Sequence, residues 1–210
     1  MKRKHVMKIG LFGGSFNPIH LGHTALASYI CEQGLVDEVW LMVSPQNPLK
    51  RDLTLLDENE RLHMARLATA PYPMLRACNF EFTLPRPSYT YHTLQALRKA
   101  YPDCEFSLII GEDNWQCFDR WYRGEDIARE TPIIVYPRKA EGSENSESTK
   151  ELSSFDFQLS ILNNPPFLPY SSTEVRQHIA EGLDVSHMLH PDVEGYIKEK
   201  QYYAPKTNEA

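Results

Sequence analysis

The chain has 210 residues, of which 41% are apolar and 24% are charged, and its formal net charge is −6. This composition is typical of one soluble globular domain, and we expect a single domain over residues 1–210. The acidic balance argues against a general nucleic-acid binder, and no apolar run approaches the roughly 18 residues of a membrane span.

Four scattered cysteines form no CxxC pair and no metal-ligand spacing, which predicts free thiols in a reducing compartment. The basic start of the chain is followed neither by an unbroken apolar run nor by a small-residue cleavage site. We therefore expect a cytoplasmic protein.

Apolar runs and helical periodicities alternate along the chain. The apolar runs predict strands at residues 6–12, 38–43, 75–82, 105–110, 132–136 and 157–162. Helical spacing predicts helices at residues 21–33 and 57–70, from 88 or 90 to 100, after 114, from 171 to 182 and from 191 onward. This alternation predicts an α/β fold, namely a Rossmann-like, doubly wound and mostly parallel sheet with helices on both faces.

Residues typical of helix caps and stops lie at these boundaries: Gly34, Asp57 with Glu60, Ser88 or Thr90, Ser171 with Glu174, Gly182 and Pro191. Between the last two predicted strands, residues 139–151 are polar and charged and contain no large apolar side chain. We expect a flexible surface loop there, since too little chain follows for an independent core.

In a parallel sheet of this kind, ligands bind beyond the carboxyl ends of the strands, at the switch point of the strand order. This rule places the loops at residues 13–23, 44–51 and 111–114 around one cleft.

The first of these loops is a glycine-rich turn, GGSFNPIHLGH at residues 13–23. It leads into a helix whose first N–H groups form an anion site. Gly13 and Gly14 allow a phosphate to approach the backbone. His20 and His23 flank Gly22 on one helix face, where imidazole N–H groups can donate to phosphate oxygens. The turn is neither a Walker A loop nor a GxGxxG dinucleotide motif.

Two other interpretations of the histidine pair remain at this point. A zinc pair would need a third ligand, and none is visibly associated with it. The pair could also be a plain surface pair.

The turn closely resembles the G-G-[ST]-F-[DN]-P-x-H-x-G-H signature of the HxGH nucleotidyltransferases. A second stretch, SSTEVR at residues 171–176, resembles the SSTxxR helix start of that superfamily. Three further stretches are similar to the bacterial nicotinate-nucleotide adenylyltransferases: PSYTYHTL at 87–94, IIGED at 109–113 and WY at 121–122. The resemblance covers residues 7–203.

The resemblance implies adenylyl transfer from ATP to nicotinate mononucleotide, with deamido-NAD and pyrophosphate as products, and Mg²⁺ bound mainly through the ATP phosphates. It implies catalytic roles for His20, His23, Lys50 and Arg176. It implies ATP-binding roles for Phe12, Gly13, Gly14, Ser15, Gly22, Gly111, Asp113, Ser171 and Ser172. It implies acceptor contacts from Tyr89, Thr90, Trp121 and Tyr122, with Trp121 stacked on the pyridine ring. Arg86 and Arg138 are further candidates for phosphate or carboxylate contacts.

Two positions depart from the family pattern. Asn17 stands where the first motif usually has an acidic residue, so no charge-dependent role is assigned to it. Leu49 stands where a histidine is usual, which leaves Lys50 as the cation of that loop. The polar insert at 139–151 is also longer than expected.

Alternative functions stay open from the sequence alone. The same fold could adenylylate nicotinamide mononucleotide or phosphopantetheine, or serve as a non-catalytic nucleotide sensor. A redox enzyme that binds a finished dinucleotide is disfavoured by the missing GxGxxG motif. The sequence shows no strip of exposed apolar residues that would indicate an oligomeric state.

Overall fold

The structure is a computed structural model that describes residues 6–45, 55–137, 158–162, 165–166 and 170–205. Six parallel strands form one sheet in the order β3-β2-β1-β4-β5-β6. The strands are β1 Met7–Gly14, β2 Glu38–Val43, β3 Leu75–Cys78, β4 Cys104–Gly111, β5 Ile133–Tyr136 and β6 Leu159–Ile161.

Among the described residues, seven α-helices surround this sheet: α1 Leu21–Glu32, α2 Glu58–Thr69, α3 Thr90–Ala100, α4 Glu112–Gln116, α5 Gly124–Glu130, α6 Ser172–Ala180 and α7 Pro191–Lys200. Short 3-10 turns lie at Phe80–Thr83 and Phe118–Arg120. The predicted doubly wound α/β architecture is therefore confirmed.

The two faces of the sheet support separate hydrophobic clusters, because successive side chains of a strand point to opposite faces. In β1, Phe12 belongs to the cluster beneath α1, α2, α6 and α7, whereas Ile9 and Leu11 belong to the cluster beneath α3 and α5. Both faces are buried, which explains why the central strands read as nearly continuous apolar runs.

Most predicted boundaries agree with the structure to within two residues. Gly34 has a φ of +69° just beyond α1, and Gly182 has a φ of +72° just beyond α6, as expected of C-terminal stops. Ser171 accepts a hydrogen bond from the Glu174 N–H as the cap of α6. All four cysteines are free thiols, as predicted.

The strand predicted at 75–82 is wrong beyond Cys78. β3 pairs only with the middle of β2, and the chain then turns into the 3-10 segment at Phe80–Thr83. The helix predicted after residue 114 begins earlier, at Glu112, inside the predicted polar turn. The later helix α5 was not predicted, because Gly124 and four charged residues obscure its periodicity.

The predicted cap of α3 and the predicted capping box of α2 are also wrong. Tyr89 occupies the cap position of α3 and makes no side-chain cap bond, so neither Ser88 nor Thr90 serves there. Asp57 does cap α2, by accepting from the Asn59 N–H, but Glu60 does not complete a capping box. Its carboxylate accepts a hydrogen bond from the Tyr196 hydroxyl instead.

The order of the strands reverses between β1 and β4, which are neighbours and both lead into helices at the same sheet edge. The turns after β1 and β4 therefore flank the switch point, where ligands of such sheets bind. Within the described part of the chain, no helix is both long and apolar enough to span a membrane.

Candidate active site

The glycine turn folds back on itself at Phe16, whose φ is +47°. This conformation brings the Phe16 ring against Gly14, where a Cβ would lie 2.9 Å from the ring. Any larger residue at position 14 would therefore have to displace the Phe16 ring. Gly13 has open space where its side chain would be, so a ligand can approach the backbone there. Ser15 links these glycines to the fold-back and is half-buried.

His20 and His23 stack at the start of α1, with ring centroids 3.7 Å apart and planes inclined by 31°. The backbone N–H of His20 donates to Nδ1 of the His23 ring at 3.2 Å. Because Nδ1 accepts this bond, the neutral His23 ring carries its proton on Nε2 and presents an N–H donor there. The edges of the Phe12 and Phe16 rings hold the His23 ring in place, with centroids 5.9 and 5.0 Å away.

The start of α6 is fastened to the same turn, although it lies more than 150 residues further along the chain. Ser172 Oγ donates to the Pro18 carbonyl at 2.8 Å, and Arg176 Nη1 donates to the Asn17 carbonyl at 2.7 Å. The two signatures singled out from the sequence therefore meet in space. A guanidinium has five N–H donors, so this bond and the one to Thr173 do not exhaust Arg176.

Asn17 is a buried structural tie rather than a charged group. Its Oδ1 accepts from the Tyr203 hydroxyl at 2.8 Å and from the Leu56 N–H at 3.3 Å. Burial raises the pKa of the Tyr203 phenol, which therefore stays protonated and able to donate. These bonds attach the turn to the chain before α2 and to the segment after α7. They account for a position whose role the sequence left open.

Arg61 is the most highly connected residue of the site, and the sequence analysis missed it. Its side chain is 1% exposed, and its guanidinium donates to four carbonyls. Nη1 reaches Ser15 at 2.7 Å and Ser44 at 2.8 Å, Nε reaches Leu56 at 2.9 Å, and Nη2 reaches Pro45 at 3.2 Å. One side chain thus holds the glycine turn, the loop after β2 and the start of α2.

Burial lowers the pKa of the Arg61 guanidinium, although an arginine stays charged in proteins. The four carbonyl dipoles replace the water that this cation loses. The sequence does contain a signal for the burial of Arg61. Arg61 lies with Met64, Ala65 and Ala68 on the i, i+3, i+4, i+7 stripe of α2, and this stripe is buried. A cation on an apolar stripe needs partners inside the fold.

Gly111 and Asp113 lie at the carboxyl end of β4, beside the glycine turn. Gly111 is buried and caps the short helix α4, and Asp113 is exposed in its first turn. The structure therefore brings the IIGED stretch to the predicted cleft.

Some of the residues predicted to bind the acceptor lie close together. The rings of Tyr89 and Tyr122 are 5.1 Å apart, and both side chains are exposed, whereas Thr90 begins α3 beside them. Trp121 is half-buried, and its indole lies at 38° to Phe118 with centroids 5.2 Å apart. Its Nε1 is buried and has no hydrogen-bond partner in the part of the chain described here.

Two predicted phosphate contacts cannot be placed, because Lys50 and Arg138 lie outside the described residues. The insert at 139–151 also lies outside them. Arg86 is engaged elsewhere, since its Nη2 binds both oxygens of the Glu58 carboxylate at 2.6 and 2.8 Å.

No group of three or more His, Cys, Asp or Glu side chains that could hold a metal ion occurs among the described residues. The donors gathered at the turn are instead N–H groups of imidazole, guanidinium and backbone. Such a set suits the oxygens of a polyphosphate.

Comparisons with known proteins agree with this geometry. Residues 11–178 match the family model described as cytidylyltransferase-like. A probable nicotinate-nucleotide adenylyltransferase of Bacteroides thetaiotaomicron is 47% identical over 199 residues, which are 95% of each chain. A protein of the same description from Flavobacterium johnsoniae is 42% identical over 94% of this chain and 99% of its own.

Among solved structures, the nicotinic acid mononucleotide adenylyltransferase of Plasmodium falciparum complexed with NaAD has the same fold. The TM-score is 0.77 at 21% identity, and the match covers 94% of this chain and 97% of the other. The same enzyme complexed with APC matches with a TM-score of 0.75.

The Arg61 arrangement predicts the effect of a conservative change. In Arg61→Lys, one ammonium cannot reach four carbonyls on three segments, and we expect the free energy of unfolding to fall by about 2–4 kcal/mol. Urea denaturation measures this loss. Arg66→Lys, on the exposed side of the same helix, is the matched control and should change stability by less than about 0.5 kcal/mol. Equal stability of the two variants would show that the carbonyl bonds contribute little.

Proposed function

Because this chain belongs to the cytidylyltransferase-like family and, within it, to the nicotinate-nucleotide adenylyltransferases, we propose that it transfers the adenylyl group of ATP to nicotinate mononucleotide. The observation that carries this proposal is the meeting of the HxGH turn with the start of α6 through Ser172 and Arg176. The product is deamido-NAD, and the reaction is a step in NAD biosynthesis.

The reaction needs no nucleophile from the protein. An oxygen of the acceptor's 5′-phosphate forms a bond to the α-phosphorus of ATP, and the bond from that phosphorus to the bridging oxygen of pyrophosphate breaks. The attacking phosphate is already ionised, so no strong base is required. Catalysis then consists of positioning two polyanions and stabilising the charge that develops on the phosphoryl oxygens.

His20 and His23 are proposed to contact the α- and β-phosphates. The Nε2–H of His23 is oriented by the bond from the His20 N–H and by the surrounding aromatic rings. A donor held in this way needs no reorientation as charge builds up in the transition state. Gly13 leaves its backbone open to the nucleotide, and Gly14, Ser15 and Gly22 are assigned to ATP binding beside it. Phe12 packs against Phe16 and His23 and so supports the turn.

Arg176 and Lys50 are proposed to neutralise the leaving pyrophosphate, and Ser171 and the N–H groups at the start of α6 add donors. The Ser172 hydroxyl already donates to the Pro18 carbonyl, so its contribution to ATP comes from positioning the turn and from its N–H. The described donors fit an ion carried by the nucleotide rather than by a protein cage, and Mg²⁺ is proposed to bind mainly through the phosphates. When bound, it supplies further charge neutralisation there.

Acceptor recognition is proposed for the α3 side of the cleft. Tyr89, Thr90 and Tyr122 line an exposed aromatic cluster, and Trp121 is assigned to the pyridine ring. Gly111 and Asp113, beside the turn, are assigned to the adenosine part of ATP. The free cysteines and the consumption of ATP favour a cytoplasmic location.

The proposed activity is tested by measuring pyrophosphate release from ATP with nicotinate mononucleotide, its amide and phosphopantetheine in parallel. We expect the highest kcat/KM with the nicotinate compound. Greater efficiency with either of the other acceptors would reassign the substrate, and no release with any of them would favour a nucleotide sensor.

Removal of His20 should impair chemistry. In His20→Ala we expect kcat to fall by about 10² or more, as when a donor to a developing oxyanion is lost. His20→Asn, which keeps a good helix cap, separates this effect from damage to α1. His63→Ala, on the exposed surface of α2, is the control and should retain the wild-type kcat. Near-normal turnover in a folded His20→Ala variant would refute the phosphate role.

Loss of the Trp121 side chain should weaken the binding of one substrate only. In Trp121→Ala we expect a higher KM for nicotinate mononucleotide and an unchanged KM for ATP, because stacking contributes only to acceptor binding. Steady-state kinetics with each substrate varied in turn provides the measurement. Equal changes in both KM values would remove Trp121 from the acceptor site.

A further inference from the structure

A buried carboxylate connects the two sides of the cleft. Glu81 lies in the 3-10 turn after β3 and is 8% exposed. Its Oε1 accepts from Thr93 Oγ1 at 2.9 Å, and its Oε2 accepts from Ser44 Oγ at 3.1 Å. The two oxygens of one side chain thus hold two segments that lie far apart in the sequence.

The Thr93 end of this connection belongs to the acceptor side. The Thr93 N–H donates to the Tyr89 carbonyl at 3.1 Å, and its hydroxyl lies 3.4 Å from the same oxygen. Glu81 therefore acts on the first turn of α3, where the proposed acceptor contacts Tyr89 and Thr90 lie.

The Ser44 end belongs to the phosphate side. The Ser44 N–H donates to the Gly14 carbonyl at 2.9 Å, which extends the pairing of β1 with β2 by one residue. Its own carbonyl accepts from the Arg61 Nη1 that also binds the Ser15 carbonyl. Ser44 is thus tied to the glycine turn once directly, through Gly14, and once through Arg61.

Burying the Glu81 carboxylate costs free energy of desolvation. Both of its hydrogen-bond partners are neutral hydroxyls, and burial raises the pKa of the Glu81 carboxyl. An apolar residue of similar size would avoid that desolvation. A glutamate in this place therefore points to a requirement other than stability.

We propose that Glu81 is a positioning residue, which sets the distance between the acceptor-binding start of α3 and the phosphate-binding turn through Thr93 and Ser44. This inference rests on the proposed function. An in-line transfer between two bound substrates depends on their separation, and an error of 1 Å can lower the rate by about 10². Glu81 touches neither substrate in this scheme.

The test compares Glu81→Leu with Glu81→Gln. We expect kcat of Glu81→Leu to fall by about 10- to 100-fold, while the KM for each substrate stays within about threefold of wild type. Each substrate still binds its own segment, but the two segments are no longer held together. Glu81→Gln keeps a carbonyl acceptor and an amide donor for the two hydroxyls, and its kcat should stay within about threefold of wild type.

Glu60→Leu is the matched control. Glu60 also accepts a hydrogen bond from a hydroxyl, that of Tyr196. This bond joins α2 to α7 and connects no part of the cleft. We expect this variant to lose stability and to keep the wild-type kcat. A kcat loss in Glu81→Leu no larger than that in Glu60→Leu would overturn the proposal, as would an effect confined to the KM of one substrate.

A double-mutant cycle decides the matter even if Glu81→Leu does not fold. Ser44→Ala and Thr93→Val each remove one hydroxyl from the carboxylate. If Glu81 connects the two segments, either change breaks the connection, and the double variant loses no more kcat than the worse single variant. Losses that multiply would show two independent sites and would contradict the proposal.

The assay of the wild-type enzyme distinguishes failure of the proposed activity from failure of the proposed role of Glu81. Absence of pyrophosphate release by the wild-type enzyme would refute the proposed function itself. An active wild-type enzyme with multiplying losses, or with a KM effect on one substrate, would refute only the role of Glu81.

Discussion

The guanidinium of Arg61 is the constraint on which the cleft depends. Loops at the carboxyl ends of parallel strands have no ladder partners, so their carbonyls must find donors elsewhere. Arg61 supplies donors to four of them on three segments and is itself held by the apolar stripe of α2. The shape of the glycine turn is therefore linked to the packing of α2, a helix that carries none of the proposed catalytic or substrate-binding residues.

The strand order explains why the chemistry collects at one place. With β1 and β4 adjacent at the switch point, the helices that follow them diverge to opposite faces and leave a crevice between their first turns. The donors of α1 and α6 converge there on one side, and the aromatic cluster of α3 flanks the other. An acidic protein can hold polyanions in this way, because the N–H groups are concentrated locally while the net charge is spread over the surface.

Much of this architecture could be predicted from the sequence. Strands buried on both faces and stops such as Gly34 are local signals, and the turn at 13–23 combines enough unusual residues to be recognised. The roles of Arg61, Asn17 and Glu81 could not be predicted, since each depends on partners that only the fold brings near. Glu81 falls in the wrongly predicted part of the strand at 75–82 for a related reason: the run suits a strand, but β3 pairs with β2 only as far as Met42. The periodicity alone does not reveal where the neighbouring strand ends.

The amide at position 17 has one further consequence. A carboxylate in that place would gain a proton in acid and lose part of its capacity to accept from Tyr203 and the Leu56 N–H. The amide oxygen does not titrate, and burial raises the pKa of the Tyr203 phenol, so its hydroxyl keeps its hydrogen to higher pH than an ordinary tyrosine does. The attachment of the glycine turn through Asn17 thus contains no group that titrates near neutral pH.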